Sequence, residues 1–329
     1  MKNKRIALIF ALVIAAAFIV LSFLGKKDEM TLSNKNATVQ AQKVFDYIAG
    51  LEGKAVLSGQ QESTWMGSAD YETDYIFNAA GRYPVIKGFD YMNDDFDGVN
   101  KRAEEWWNKG GLVTICWHCG SDFSGEWNDC MEDENSDWTA VLTEGTEEYN
   151  NMISGIDKAA KALLELKEKN IPVLWRPFHE FDGHWFWWSK GGAGAFRQMW
   201  IIMYKRYTEY WKLDNLIWVL GFSDQGEKSK EWYPGDAYCD IVGADTYQTD
   251  IFTKLYRKMK RITHSHKPVC LHECGVNPTV WELEKAPWCW YMTWHTEYLT
   301  DNNSNEELSE LYNSEIVITL DEFELKKQV

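Results

Sequence analysis

Basic charge is scarce in this chain of 329 residues: 34 Lys and Arg stand against 50 Asp and Glu, for a formal net charge of −16. Phosphate binding needs clustered Lys and Arg, so with no basic patch nucleic acid is not expected as a partner. No GxGxxG or Walker A pattern occurs, which removes the usual signatures of dinucleotide and nucleoside-triphosphate sites. Pro/Gly/Ser linkers, low-complexity runs and short-period repeats are missing too, so the chain reads as continuously structured after its first few tens of residues. Cys116-Trp117-His118-Cys119 and His272-Glu273-Cys274 have no second CxxC or HxxxH to complete a zinc set. Neither a metal nor another cofactor is therefore expected.

Aromatic side chains are in excess, with 18 Trp, 16 Tyr and 15 Phe, and the hydrophobic share of 45% is too rich for disorder. The length suits one large domain or two small ones. Flat rings stack on sugars but also fill cores, and composition does not choose between the two. Seven cysteines are an odd number, so a monomer, the expected state, keeps at least one free thiol. Most lie in apolar, strand-like runs where a thiol acts as a small hydrophobe. Cys119 and Cys130 flank a loop, and the sequence leaves their pairing open.

The run from Ile6 to Gly25 carries no charge and follows Lys2, Lys4 and Arg5. This is the pattern of a signal peptide or signal-anchor over residues 1–27, with a short polar linker over 28–39. Its length suffices to span a bilayer, which favours an uncleaved anchor. Export is expected, with the folded domain secreted, periplasmic or membrane-anchored and touching membrane only through this segment. The leader holds five positive charges and no acid, so the domain alone is more acidic than the whole chain.

Short apolar runs at 55–58, 84–89, 112–117, 171–176, 216–220, 241–244, 268–272 and 288–293 predict strands. Between them lie segments of helical period, clearest at 153–169 and also at 198–211 and 252–264. Eight strands alternating with helices predict an α/β fold, a (β/α)8 TIM barrel, over residues 40–325. Such a barrel places functional residues at the C-terminal ends of its strands. Strand 3 runs into Trp117-His118, and strand 4 into Arg176-Pro177-Phe178-His179-Glu180 and the aromatic loop from His184 to Trp188. Strand 6 ends at Asp245-Thr246-Tyr247, strand 7 at His272-Glu273, and strand 8 at Trp294-His295. Burying a carboxylate after a core strand costs several kcal/mol unless it is paired, so Glu180 and Glu273 are not needed for stability. Two carboxyls across a barrel mouth suit glycoside hydrolysis, one as proton donor and one as nucleophile or base. The wall Trp185–Trp188 would raise the acid's pKa by desolvation. Asp245 and Arg176 read as supports of the mouth. Trp106, Trp107, Trp200, Trp211 and Trp218 read as packing residues, and Trp187 and Trp188 as evenly divided between packing and sugar.

The stretch WRPFHEFDGHWFWWS, with VLSGQQE, GGLVTICWHC, DIVGADTYQ, KPVCLHECG and WCWYMTWHTEYL, resembles glycoside hydrolase family 26, dominated by endo-β-1,4-mannanases. The resemblance covers roughly residues 40 to 325. It implies that Glu180 is the acid/base and Glu273 the nucleophile of a retaining double displacement on a β-mannan-type polysaccharide. It also implies that His118, His179, Trp185, Tyr247 and Trp294 contact substrate, with Tyr247 bonding to the nucleophile and Trp294 flooring the sugar. His272 and Cys274 beside the nucleophile depart from the family pattern, as does His295, where some members carry Arg. The same machinery on β-1,3-xylan or mixed-linkage β-glucan, a non-catalytic glycan-binding barrel, and a zinc hydrolase using His118, His179 and His272 are the alternatives.

Overall fold

The computed structural model describes residues 30–131 and 137–325, so the leader at 1–27 lies outside the described residues. Among the described residues no helix is long and apolar enough to cross a membrane. The strands are β1 (Val56–Gln61), β2 (Ile86–Asp90), β3 (Leu112–Trp117), β4 (Val173–Pro177), β5 (Leu216–Ser223), β6 (Ile241–Thr246), β7 (Val269–Cys274) and β8 (Trp290–Thr293). Apart from the intermediate Asp90 at the end of β2, every residue in them is buried. Burial on both faces explains why they read as unbroken apolar runs rather than alternating ones. All neighbours pair in parallel from β1 through β8, and β8 pairs back to β1, closing the barrel. A two-residue strand, β9 (Val317–Ile318), adds to the first residues of β1.

The helices are α1 (Val39–Gly50), α2 (Tyr71–Ala80), α3 (Phe96–Lys109), α4 (Trp138–Val141), α5 (Glu147–Glu168), α6 (Gly192–Lys205), α7 (Phe252–Ile262), α8 (Val280–Lys285), α9 (Glu297–Thr300) and α10 (Asn305–Tyr312). Helix α5 starts six residues before the expected 153, because the Thr146 side chain caps the Tyr149 N–H and Glu147 and Glu148 favour the positive end of the helix dipole. The helix expected over 198–211 instead starts at Gly192, runs to Lys205 and ends in a π-helical turn at Arg206–Tyr210. Trp106, Trp107, Trp200 and Trp218 are buried as expected, and the partly buried Trp211 donates to Asp157 at 2.7 Å. All seven cysteines are buried free thiols, Cys119 and Cys130 included.

Candidate active site

After Pro177 the chain cannot continue the strand ladder. Phe178 (φ 48°) and Glu180 (φ 54°) both take the left-handed conformation that costs non-glycine residues energy. Surrounding bonds hold this turn. The Glu180 N–H donates to the Gly221 carbonyl at 2.8 Å, and the Gly183 N–H donates to the Glu180 carbonyl at 2.9 Å. Asp182 is fully buried and accepts from the Ser223 N–H at 2.8 Å and the Ser229 hydroxyl at 2.5 Å. The indoles of Trp187 and Trp188 donate to the carbonyls of Cys119 and His179, each at 2.8 Å. Both rings are buried, so packing the loop, rather than touching sugar, is their role.

Glu273 reaches the mouth by a different device. The pairing register shifts between β6 and β7 at Ala244/Asp245 and between β7 and β8 from Leu271 to Cys274. Such irregularities re-aim side chains near active sites. His272 lies within β7, its Nε2 3.3 Å from the Thr114 hydroxyl of β3 in the barrel interior. The next residue, Glu273, nevertheless meets the mouth. Its Oε1 accepts from the Tyr247 hydroxyl at 2.5 Å and its Oε2 from Arg176 at 3.0 Å. Arg176 is wholly buried and also donates to Asp245. Both residues therefore act as supports beneath the carboxylate, as their sequence context suggested.

Glu180 and Glu273 line one cavity of about 420 Å³, together with His118, His179, Trp185, Tyr247 and Trp294. All seven residues singled out from the sequence thus converge. Burial, followed by the negative charges of Glu273 and Asp245, pushes the Glu180 carboxyl well above the usual carboxylate range. Arg176 and the Trp185 indole N–H, 3.0 Å from Glu180 Oε2, pull the other way. Of the expected aromatic wall only Trp185 and Phe186 face the cavity. His179 is pushed well below the ordinary histidine range, first by burial and then by Arg176, and is neutral at ordinary pH.

Asp90 accepts from both the N–H of His118 and its Nδ1, at 2.9 and 2.5 Å. With Nδ1 so engaged, Nε2 is the atom left for other partners. The donor atoms of Asp90, Cys116 and His118 lie within 4.8 Å of one another, but their partners are already chosen. The Cys116 thiol donates to the Phe89 carbonyl, and burial pushes its pKa well up, against the thiolate a metal would need. The zinc set of His118, His179 and His272 is not assembled around this cavity, since His272 does not line it.

Gln61, Glu62, Trp65, Asp90, Met92, Trp127, Tyr298 and His295 also line the cavity without having been picked as contacts. Asp90 ends β2, so the strand-end rule applied to every strand would have found it. Trp65 sits on the loop after β1, and Trp127 opens a short 3-10 turn (Trp127–Met131) in the segment after β3, neither with a periodic signal.

The sequence profile of glycosyl hydrolase family 26 matches residues 33–322. A mannan endo-1,4-β-mannosidase of Thermothelomyces thermophilus is 29% identical over 89% of this chain and 63% of its own length. Mannan endo-1,4-β-mannosidase A and B of Caldalkalibacillus mannanilyticus is 31% identical over 83% and 57%. The chain spans between 50% and 63% of the length of these and the related Piromyces enzymes. Among solved structures, a ruminal endo-β-1,4-mannanase superposes with a TM-score of 0.83 at 30% identity, covering 90% of this chain and 71% of that one. A β-mannanase from a protist symbiont of the termite Reticulitermes speratus, complexed with gluco-manno-oligosaccharide, gives 0.82 at 28% identity, with 89% and 97% covered. With the profile matching nearly the whole barrel, and that barrel carrying two carboxylates at its mouth, the chain belongs to glycosyl hydrolase family 26.

Proposed function

We propose that this protein is a retaining, endo-acting glycoside hydrolase that cleaves β-1,4-mannosidic bonds in mannan, glucomannan or galactomannan. The observation that carries the reading is the pair of carboxyls held in unlike surroundings within one aromatic cavity. Glu180 is kept protonated by burial and by the charge of Glu273, as a general acid requires. Glu273 is gripped by Tyr247 and Arg176, which fix its oxygens toward the sugar.

Glu180 gives its proton to the glycosidic oxygen as Glu273 attacks the anomeric carbon; the C–O bond to the leaving sugar breaks and a glycosyl ester forms. The Trp185 N–H steadies the Glu180 carboxylate left behind. That carboxylate then takes a proton from water as the water attacks the same carbon, and the ester bond to Glu273 breaks. Trp294 floors the reacting sugar, the neutral His179 supplies a hydrogen bond without charge, and His118, held at Nδ1 by Asp90, offers Nε2. The uncharged run behind Lys2, Lys4 and Arg5 supports export, and action as a monomer needs no residue from a second chain.

Glu180→Ala and Glu273→Ala should each lower turnover of linear mannan by at least about 10²–10⁴-fold with the fold retained by circular dichroism. Azide should restore part of the rate to Glu273→Ala, because a small anion can replace the lost nucleophile. Near-normal turnover in either variant would sink the assignment, and a product pattern favouring xylan or mixed-linkage glucan would move the substrate but keep the chemistry.

A further inference from the structure

Glu72, on α2, is 1% exposed and does not line the cavity, yet it reaches two loops that do. Its Oε1 accepts from the Ser63 hydroxyl at 2.6 Å and from the Thr296 N–H at 3.1 Å, and its Oε2 from the Ser63 N–H at 3.1 Å. Ser63 begins the loop carrying Trp65, and Thr296 directly follows Trp294 and His295. These loops meet over the cavity. The Trp65 ring stands edge-on to His295 at 4.8 Å, and His295 lies 4.7 Å from Trp294. Thr296 is held at φ 50°, ψ −124°, a costly conformation for a β-branched residue, and its hydroxyl lies 3.2 Å from Nδ1 of the His295 ring before it. A buried carboxylate satisfied by neutral donors is expensive, and a strained residue persists only where its surroundings over-determine it. Both costs fall on the junction of these two loops.

We propose that Glu72 is a positioning residue that locks Trp65, His295 and Trp294 into one wall binding the glycone end of the substrate. The inference rests on the glycoside-hydrolase reading above. The side of the cleft follows from topology. Glu180 follows β4 and must touch the leaving group's oxygen, whereas Trp294 follows β8 on the opposite side of the eight-stranded barrel. The wall therefore faces the part of the chain that stays on the enzyme, away from the departing sugar.

The test combines hydrogen exchange on the free protein with steady-state kinetics, for Glu72→Gln and the milder Ser63→Ala. Peptides covering residues 62–67 and 293–298 should both exchange faster in Glu72→Gln. KM for oligosaccharides of β-1,4-mannan, or of whichever β-glycan the wild type turns over, should rise about tenfold with kcat changed less than about twofold. The kcat/KM pH profile should keep its shape, since neither reacting carboxyl is touched. Unaltered exchange in both segments, an unchanged KM, or equal loss of kcat at an unaltered KM would overturn the proposal. If Glu72→Gln does not fold, Ser63→Ala carries the same expectations at smaller size. Failure of the wild type on mannan alone would count against the substrate reading and leave this comparison intact on the glycan it does cleave.

Discussion

Trp185 is a wall of the cavity and also a donor to the acid it stands beside, and the two roles act on Glu180 in opposite senses. Its ring helps to exclude water, which favours the neutral carboxyl, while its N–H favours the ionised one. Trp185→Phe keeps much of the ring and removes the donor, so the proton on Glu180 should be held more tightly. Because the first step needs that proton, the alkaline limb of the kcat/KM profile should move to higher pH. A profile measured over the accessible range checks this, and a limb that stays put or moves to lower pH counts against the assigned acid. A similar division separates the histidines: His118 and His179 meet ring to ring at 4.5 Å in the mouth, whereas His272 serves the interior.

Among the elements, β1 carries a glycine whose side-chain space is closed by backbone rather than by a movable side chain. A Cβ built on Gly59 would lie 2.8 Å from the Tyr291 carbonyl of β8 and 3.0 Å from the Met292 Cβ. A backbone oxygen within a closed barrel has little room to yield, so Gly59→Ala should destabilise the fold by about 1–3 kcal/mol. Urea denaturation would show this as a lowered midpoint at an unchanged slope; an unmoved midpoint would mean that β1 and β8 can separate locally. The strands were legible in the sequence because both of their faces are buried, which leaves dense apolar runs. Glu180 and Glu273 were legible because each breaks such a run with a charge. The means of presenting them was not: the left-handed turn at Phe178–Glu180 and the register shift beside Glu273 depend on bonds to β5 and β6. Glu72 was hidden for a related reason, since its partners lie 9 and 224 residues away along the chain.

At the scale of the whole molecule, the site is a standing charge against stability. Glu180 has a folded-state pKa raised above its unfolded value, so the unfolded chain gains from its ionisation and the folded one resists it. The handicap is absent below the unfolded pKa and grows as pH rises through the folded one. Glu180→Gln should therefore raise the melting temperature by on the order of a few degrees at pH 8, with the gain shrinking toward pH 4. Calorimetry at both values tests the sign, and a gain that grew on acidification would contradict it. Beneath Glu180, the buried Arg176 offsets some of this cost by joining Asp245 and Glu273, so that removing it would leave two carboxylates facing each other without a cation.

The seven buried thiols have a consequence for how the molecule meets its surroundings. Thiolate is the reactive form of cysteine, and burial pushes each of these groups upward, Cys130 and Cys289 to about 12. The folded protein should thus react slowly with alkylating agents, whereas the unfolded chain offers seven thiols at once. Labelling of the strand thiols Cys116, Cys270 and Cys274 should therefore record opening of the barrel, whereas Cys119 and Cys130, which lie beyond the end of β3, would also report local opening there.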